Sequence, residues 1–426
     1  MKRQNNHTCH EIINRHHNPS CACLFRMLHP SITAIHRKPK YSKLAVSFPF
    51  VFPIMFPIIQ TDRAAAEWRN ESTQKPPKQA VYVHESNAAD ILKNAHAHTA
   101  TVWTGDFHNA KQVLAAMKKR VRRPSEKTKN APADIQTAFH THRMKQAQQS
   151  RVLNMLAVEI GTGFQLSNPR APDVRAALAD VYAELNDAPF LLPLNQLLGF
   201  IGAHEWHKKG IDIPQLGGKI HVPFGVFSPL RGEYLDLIAQ APLNPHIQTA
   251  FDIGTGSGVI AAILAKRGIP DITATDTNPK AIACAIANLA RLGLDKQVAV
   301  QAVDLFPEGR ADLIVCNPPW LPAKPTSAVE TALYDPDNAM LTAFLNGVRQ
   351  HLNPQGEAWL IISDLAEHLH LRDRDFLEQC FQTTSLEVAD ILKTKPRHRK
   401  AADESDPLAF ARNRETTYLY RLKAKS

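Results

Sequence analysis

The chain has 426 residues, of which 44% are hydrophobic and 21% charged, a composition typical of a soluble globular protein of two or three domains. Its six scattered cysteines exclude a disulfide framework and predict buried thiols in the reducing cytoplasm. The charge is uneven: residues 1–150 carry 23 Lys and Arg against 9 Asp and Glu, a net +14, and residues 151–426 carry 27 against 31, a net −4. The basic front favours an acidic partner such as RNA, but for the first sixty residues a solvated, disordered basic tail is the preferred interpretation.

Residues 1–79 are predicted to be an irregular, disordered extension, because they are rich in proline and histidine and lack periodicity. Leu44–Ile59 is apolar but has only 16 residues, fewer than a membrane-spanning helix needs. Three prolines interrupt it: Pro49, Pro53 and Pro57. We therefore predict no membrane association and expect the working protein to start near Met55. The nearby Cys and His residues lack zinc-finger spacing, so no metal site is predicted.

Residues 80–218 are predicted to form a mainly helical domain that recognises the substrate. Two short strands are expected, Val81–His84 and Thr101–Thr104. Apolar spacing predicts five helices: Ala88–His96, Asn109–Lys119, Ala133–Val158, Asp173–Leu185 and Pro193–His207. The basic run Lys118–Arg123 at the end of the second helix favours RNA as the partner.

Residues 219–426 alternate strands with helices, which predicts an α/β domain with an open, mostly parallel sheet and helices on both faces. The predicted strands are Ile220–Val226, Ala250–Ile253, Ile272–Thr275, Val298–Val303, Asp312–Cys316, Ala358–Ser363, Leu386–Leu392 and Thr416–Leu422. The last two are expected to pair antiparallel across a long loop. Ligands of such sheets bind at the carboxyl ends of the strands.

A glycine-rich turn follows the predicted strand that contains Asp252. Gly254, Gly256 and Gly258 allow a sharp turn and a close backbone approach to a ligand, at the start of a helix that suits an anionic group. A dinucleotide fingerprint needs its third glycine one residue later, so a nicotinamide cofactor is the weaker interpretation. Glu159–Gly163 imitates the turn, but it follows a helical pattern and is interpreted as a helix end.

Acidic residues end the next two predicted strands. Asp276 comes 24 residues after Asp252, where a carboxylate accepts hydrogen bonds from two ribose hydroxyls. Asp304 ends the third strand, where its side chain is predicted to accept from an adenine amino group while the Leu305 amide donates to the ring. Each Asp alone is typical of a turn or helix cap, but three on consecutive strand ends predict a nucleotide-like cofactor.

Asn317-Pro318-Pro319-Trp320 follows the next strand. A planar amide or aromatic amine nitrogen is a poor nucleophile because its lone pair is delocalised. The Asn317 side-chain oxygen and the Pro318 carbonyl are predicted to accept its N–H groups and orient it, while Trp320 stacks on a flat substrate. Catalysis is then positioning for in-line transfer, with no covalent intermediate and no metal. The alternative is a strand-ending turn with a core tryptophan.

In order and spacing, these motifs resemble those of the class I methyltransferases of the "methyltransferase small" and HemK-type groups. The resemblance covers about residues 220–424 and implies a Rossmann-like, seven-stranded sheet and S-adenosyl-L-methionine as cofactor. It implies cofactor contacts for five residues of the turn and strand ends: Asp252, Gly254, Gly256, Asp276 and Asp304. The turn itself and the Leu305 amide add Gly258 and Leu305 to the predicted cofactor site. It implies that Asn317, Pro318 and Trp320 contact the target nitrogen. Relatives methylate release-factor glutamine or exocyclic amines of RNA bases, and HemK-type proteins carry tyrosine where this chain has Trp320.

The sequence thus predicts a cytoplasmic, S-adenosylmethionine-dependent N-methyltransferase acting on ribosomal RNA or on a translation protein. A catalytically silent binding module of the same fold is the alternative. His204-Glu205-Trp206-His207 lacks zinc-protease spacing and is interpreted as a helix end. Tyr334–Asp337 is expected either at the rim of the substrate pocket or in a plain turn. Lys393–Lys400 is expected either to touch phosphates or to be a solvated loop, and the oligomeric state is not predicted.

Overall fold

Two large sheets organise the protein, and its computed structural model describes residues 56–122, 134–230, 232–397 and 406–425. Both sheets lie within one structural unit, Met55–Ser426. The predictions for residues 1–55, including the irregular extension and the start near Met55, lie outside the described residues. In the part of the chain that is described, no helix is both long and apolar enough to cross a bilayer.

The front part, residues 56–220, folds around a six-stranded sheet. Its strands are β1 (Ile58–Thr61), β2 (Ala66–Trp68), β3 (Gln79–Val83), β4 (Thr99–Trp103), β5 (Leu156–Ile160) and β6 (Phe190–Pro193). They pair in the order β1-β2-β6-β5-β4-β3, and β1 also pairs with β3, so the sheet closes on itself. Five helices surround it: α1 (Ala88–His96), α2 (Phe107–Val121), α3 (Ile135–Leu153), α4 (Arg175–Tyr182) and α5 (Leu194–Lys209). A two-stranded ribbon follows, β7 (Ile211–Ile213) and β8 (Gly218–Ile220).

The sequence predicted the five front helices but not the extent of this sheet. Residues 56–79 were predicted to be irregular, and that is wrong for β1 and β2. The helix predicted to reach Val158 ends at Leu153, and β5 begins three residues later. β5 is an almost fully buried apolar run, and periodicity cannot distinguish such a run from a buried helix. The strand predicted over Ile220–Val226 is also wrong beyond Ile220, where β8 ends.

The C-terminal part begins with α6 (Glu233–Gln240) and continues with alternating strands and helices. The strands are β9 (Thr249–Ile253), β10 (Asp271–Asp276), β11 (Val298–Ala302), β12 (Ala311–Cys316), β13 (Leu352–Ser363), β14 (Leu386–Thr394) and β15 (Thr417–Ala424). The helices are α7 (Val259–Lys266), α8 (Pro279–Arg291), α9 (Ala339–His351), α10 (Leu365–His368), α11 (Phe376–Thr383) and α12 (Ala409–Arg412).

These strands form one sheet in the order β11-β10-β9-β12-β13-β15-β14. β15 runs antiparallel to both of its neighbours, and the other pairs are parallel, which confirms the predicted seven-stranded, mostly parallel sheet and the antiparallel final pair. Strands β9 to β11 are added toward one edge of the sheet, and the strands from β12 onward are added toward the other edge. The order of the strands therefore reverses between β9 and β12. In open α/β sheets, this switch point leaves a crevice at the carboxyl ends of the strands.

Alternation along the central strands explains why helices cover both faces of this sheet. On β9, Ala250 packs in one buried cluster with α7, and Phe251 and Ile253 pack in a second cluster with α9. On β12, Leu313 and Val315 belong to the first cluster, and the residues between and after them belong to the second. Successive side chains of a strand point to opposite faces, so a strand that is apolar throughout is buried on both.

Candidate active site

Strand register brings the predicted site residues together at the switch point. Asp252 pairs with Val315, and Ile253 pairs with Cys316 and with Thr275. Gly254, Asp276 and Asn317 are each the next residue along their strands. Since paired strands lie about 4.8 Å apart, Asp276 and Asn317 flank Gly254 on its two sides.

One cavity of about 1060 Å³ opens at this point. Eight of the ten predicted site residues line it. The eight are Gly254, Gly256, Asp276, Asp304, Leu305, Asn317, Pro318 and Trp320. Asp252 and Gly258 are not among its lining residues. Ligand pockets for one small molecule are typically about 300–1,000 Å³, so this cavity has room for a cofactor and part of a second reactant.

The glycine turn between β9 and α7 requires Gly256 and Gly258 for different reasons. All three glycines of the turn have positive φ: +71° at Gly254, +57° at Gly256 and +80° at Gly258. A Cβ on Gly256 would meet no atom within 4 Å, so this glycine leaves open space in the cavity. A Cβ on Gly258 would lie 3.1 Å from the Ala285 Cα atom on α8. Gly258 therefore allows two helices to pack closely, and Gly256 keeps room for a ligand.

Asp276 is fixed by backbone donors at the cavity wall. Its Oδ2 atom accepts from the Gly256 amide at 2.9 Å, and its Oδ1 atom accepts from the Asn278 amide at 2.8 Å. A carboxylate has about four acceptor positions, so two remain for a ligand. Leu305 has a φ of +56°, and its carbonyl accepts from the Thr275 hydroxyl at 2.6 Å, which fixes the backbone beside Asp304.

Asp252 lies beneath the glycine turn rather than at the cavity surface. It is fully buried, and its Oδ2 atom accepts from the Thr255 hydroxyl at 2.6 Å and from the Ala261 amide at 3.0 Å. Burial raises the pKa of its carboxyl to about 6. The sequence assigned Asp252 a direct cofactor contact, but its strand position turns the side chain toward α7. The structure gives it the role of holding the turn and the start of α7.

The segment from Asn317 to Trp320 is held by a side-chain hydrogen bond. The Trp320 Nε1 atom donates to the Asn317 Oδ1 atom at 2.9 Å. An indole N–H can only donate, so this contact determines which end of the Asn317 amide is the oxygen. A carbonyl oxygen has two lone pairs, and one remains for a substrate N–H. The same segment carries the half-buried Trp320 ring at the cavity wall.

A buried arginine supports this segment from behind. The Arg372 side chain is 1% exposed, and its Nη2 atom donates to the Trp320 carbonyl at 2.5 Å. The Arg372 Nη1 atom lies 3.6 Å from the Glu367 Oε1 atom, so the buried cation has an anionic neighbour. Neither residue belongs to a recognisable motif, and sequence reasoning missed both.

The segment after Trp320 is fixed by two acidic side chains. Asp335 is buried and accepts from the Met340 and Leu341 amides at 2.9 and 3.0 Å, which caps the start of α9. Glu330 Oε2 accepts from the Thr326 amide and hydroxyl, both at 2.8 Å. Tyr334 lines the cavity, as one of its two predicted interpretations requires.

Comparison with known proteins gives this site a family. Residues 219–390 match the methyltransferase small domain. We call these 172 matched residues the methyltransferase small domain. The prediction from the glycine turn, the strand-end acids and the Asn-Pro-Pro-Trp segment is confirmed in its family and in its class of reaction.

Two curated relatives match different shares of the chain. The release factor glutamine methyltransferase of Cereibacter sphaeroides is 35% identical over an alignment of 140 residues, and the match covers 29% of this chain and 50% of that protein. The ribosomal RNA small subunit methyltransferase C of Salmonella typhi is 27% identical over an alignment of 325 residues, and the match covers 72% of this chain and 90% of that protein. The solved ribosomal protein L11 methylase of Lactobacillus delbrueckii subsp. bulgaricus is 21% identical, with a TM-score of 0.34 over 49% of this chain and 86% of that chain.

The front part supplies one side of the cavity of the methyltransferase small domain. Arg122 at the end of α2 and His142 and Gln146 on α3 line it. Sequence reasoning singled out the basic run that contains Arg122 but missed the two α3 residues. They carry no hydrophobic periodicity, which is the signal that identifies a buried helix face.

Contacts across the two parts fix the loop at residues 326–330. The Thr73 amide donates to the Thr326 carbonyl at 2.9 Å, and Ser72 forms an isolated β-bridge with Ser327. The Arg143 Nη2 atom lies 3.0 Å from the Glu330 Oε2 atom. The methyltransferase small domain therefore shares this loop with the front part.

The other singled-out motifs lie outside the cavity lining. His204 and His207 Nδ1 atoms lie 2.7 and 2.9 Å from the Asp180 Oδ2 atom, at the end of α5 as the sequence predicted. Lys395 donates to the Arg414 carbonyl, and Arg397 lies 3.3 Å from Asp236. The described part of the predicted Lys393–Lys400 loop is thus partly engaged with the protein itself.

Proposed function

We propose that the protein transfers the methyl group of S-adenosylmethionine to an exocyclic amine of a base in small-subunit ribosomal RNA. The observation that carries this proposal is the position of Asn317 beside Gly254 and Asp276 at one cavity. The RNA target is supported by the relative matched over 325 residues, more than the 208 residues from Lys219 to the end of the chain. That likeness therefore includes the front part, which supplies one wall of the cavity. Such a target places the protein in the cytoplasm.

The residues present fit S-adenosylmethionine. Gly256 leaves open space at the start of α7, and Asp276 retains two acceptor positions for ribose hydroxyls. Asp304 and the fixed Leu305 backbone lie further along the same wall for an adenine ring. When bound, the cofactor supplies an electrophilic methyl group.

The chain's own contribution to the reaction is to orient the nucleophile. Asn317 Oδ1, held by Trp320, and the Pro318 carbonyl accept the two N–H groups of the target amine. Two acceptors at fixed positions favour the pyramidal nitrogen, whose lone pair is no longer delocalised into the ring. The aromatic face of Trp320 stacks on the base. Such positioning lowers the barrier without a covalent intermediate.

A glutamine side chain of a release factor is the second candidate target. It is supported by the higher identity, 35%, of the release factor relative, although that match covers only 140 residues. A primary amide presents the same planar NH₂ group to Asn317 and Pro318. The front part then selects a protein rather than an RNA.

Two measurements test the proposal. Calorimetry with S-adenosylmethionine tests the cofactor, and transfer of a labelled methyl group to in vitro transcribed small-subunit ribosomal RNA or to a release factor tests the target. Mass spectrometry of the digested RNA identifies the methylated amine. We expect Asn317→Ala to keep cofactor affinity and to lose about 10²–10³ in kcat. A chain that binds no cofactor, or an Asn317→Ala variant with unchanged transfer, contradicts the proposal and leaves a silent binding module.

A further inference from the structure

The wall of the cavity that the front part supplies is polar and cationic, and its residues lie on α2 and α3 rather than on the strands that carry the predicted cofactor residues. We propose that this wall binds the nucleotide that carries the target base, with Arg122 at a phosphate and His142 and Gln146 at the base or its ribose. This inference rests on the proposed RNA target and extends it to the residues that select the substrate.

One stripe of α3 faces the C-terminal part. Phe139, His142, Arg143 and Gln146 are spaced at three, four and seven residues, which places them on one side of a helix. Phe139 is buried in a cluster that includes Leu365 and Leu369. The Arg143 guanidinium carbon lies 3.9 Å from the centre of the Tyr334 ring. The contacts of Phe139 and Arg143 therefore direct His142 and Gln146 toward the side of the cavity that Tyr334 lines.

Arg122 is the cation of this wall that is available for a phosphate. Two arginines line the cavity, and the Arg412 Nε atom lies 2.9 Å from the Asp406 Oδ2 atom. Among the described residues, Arg122 forms no ion pair, and its side chain is exposed at the end of α2. Lys118, Lys119 and Arg120 occupy the last turn of α2, directly before Arg122, so positive charges crowd this helix end. A phosphate is the group that such crowding attracts.

The two α3 side chains are suited to an uncharged partner. Gln146 offers an acceptor and two donors, and it is exposed to the cavity. Burial lowers the pKa of His142, so its imidazole is neutral at pH 7 and can both donate and accept. Bases and riboses are recognised by such neutral donors and acceptors, and phosphates by cations.

The experiment compares variants within the same helices. Arg122→Gln removes the proposed phosphate contact, and Lys111→Gln removes an exposed charge from α2 that does not line the cavity. Gln146→Ala is matched by Gln148→Ala, an exposed α3 residue two positions along that also lies outside the lining. Full-length variants are assayed for binding of in vitro transcribed small-subunit ribosomal RNA at several salt concentrations, for methyl transfer and for S-adenosylmethionine affinity.

We expect Arg122→Gln to weaken RNA binding about tenfold and to reduce the slope of log K against log salt by about 1, with unchanged cofactor affinity. Gln146→Ala lowers kcat/KM for RNA several-fold without changing that slope, and both control variants behave like the wild type. Equal salt slopes for Arg122→Gln and Lys111→Gln overturn the inference while leaving the proposed function intact. A wild-type protein that binds S-adenosylmethionine but methylates only a release factor overturns the RNA target and the inference together.

Discussion

The hydrogen bond between Trp320 and Asn317 can be removed without removing the aromatic face. Trp320→Phe keeps an aromatic ring at the cavity wall but has no N–H to donate. The Asn317 amide then loses the contact that distinguishes its oxygen from its nitrogen. We expect a lower kcat, because a smaller fraction of molecules presents the Asn317 oxygen to the target amine, and an unchanged affinity for S-adenosylmethionine.

The size of this effect follows from the contact itself. The Nε1–Oδ1 distance of 2.9 Å is that of an ordinary neutral hydrogen bond. Such a bond contributes about 1 kcal/mol net, which corresponds to about a fivefold lower kcat. Removing the Asn317 oxygen altogether has a larger effect, about 10²–10³, since the acceptor itself is lost.

A double-mutant cycle separates orientation from packing. The four proteins are the wild type, Trp320→Phe, Asn317→Ala and the double variant, assayed for single-turnover methyl transfer and for cofactor binding. In the Asn317→Ala background, Trp320→Phe has no amide left to orient, so the coupling free energy is about 1 kcal/mol. Trp359→Phe is the matched control, because the Trp359 indole is buried, donates to Glu357 at 3.2 Å and is absent from the cavity lining.

Two results would refute this reasoning. If Trp320→Phe slows transfer equally in both backgrounds, the indole N–H does not act through Asn317. If Trp359→Phe lowers kcat as much as Trp320→Phe, the effect is a general loss of packing in the domain.

Three further changes test the support beneath the cofactor site. Because the Asp252 carboxyl binds its proton more tightly in the folded protein, with a pKa of about 6 against 3.8, it lowers the free energy of unfolding as pH rises from about 4 to 6, by about 3 kcal/mol in total. Asp252→Asn lacks this dependence. Between pH 5 and 7, urea denaturation should therefore show the free energy of unfolding falling by about 1 kcal/mol more in the wild type than in the variant. If the free energies of unfolding of the two proteins change with pH in parallel, the assignment is contradicted. Gly256→Ala should fold, at a cost of about 1 kcal/mol for its positive φ, but should bind S-adenosylmethionine at least tenfold more weakly in calorimetry. Gly258→Ala should lower the melting temperature more than Gly256→Ala does, since its Cβ meets the α8 backbone, and equal melting temperatures would argue against that contact.

The C-terminal sheet could be predicted from the sequence because its signals are local. Each strand of the switch point is a short apolar run that ends in a glycine turn, an acid or a proline pair, and parallel strands place those ends at one edge. The register of β9, β10 and β12 then brings Gly254, Asp276 and Asn317 side by side. The sequence could not show that Asp252 faces α7, because that depends on which face of the sheet each helix covers.

The front part was predicted less well because its pairing is non-local. β1 and β2 are three or four residues long, and they become strands only by pairing with β3 and β6. His142 and Gln146 reach the cavity because Phe139 and Arg143 on the same helix face are anchored to the other part of the chain. Arg372 is likewise recognisable only in three dimensions, where its guanidinium meets the Trp320 carbonyl.

The shared loop at residues 326–330 has a consequence for anyone who divides this protein. Ser72, Thr73 and Arg143 hold the loop from outside the methyltransferase small domain. A fragment that begins at residue 219 would keep every predicted cofactor-binding side chain, yet it would lack the residues that hold this loop on the substrate side of the cavity. An exchange of front parts between two relatives, made to change substrate specificity, would therefore require moving this loop together with Arg143, Ser72 and Thr73.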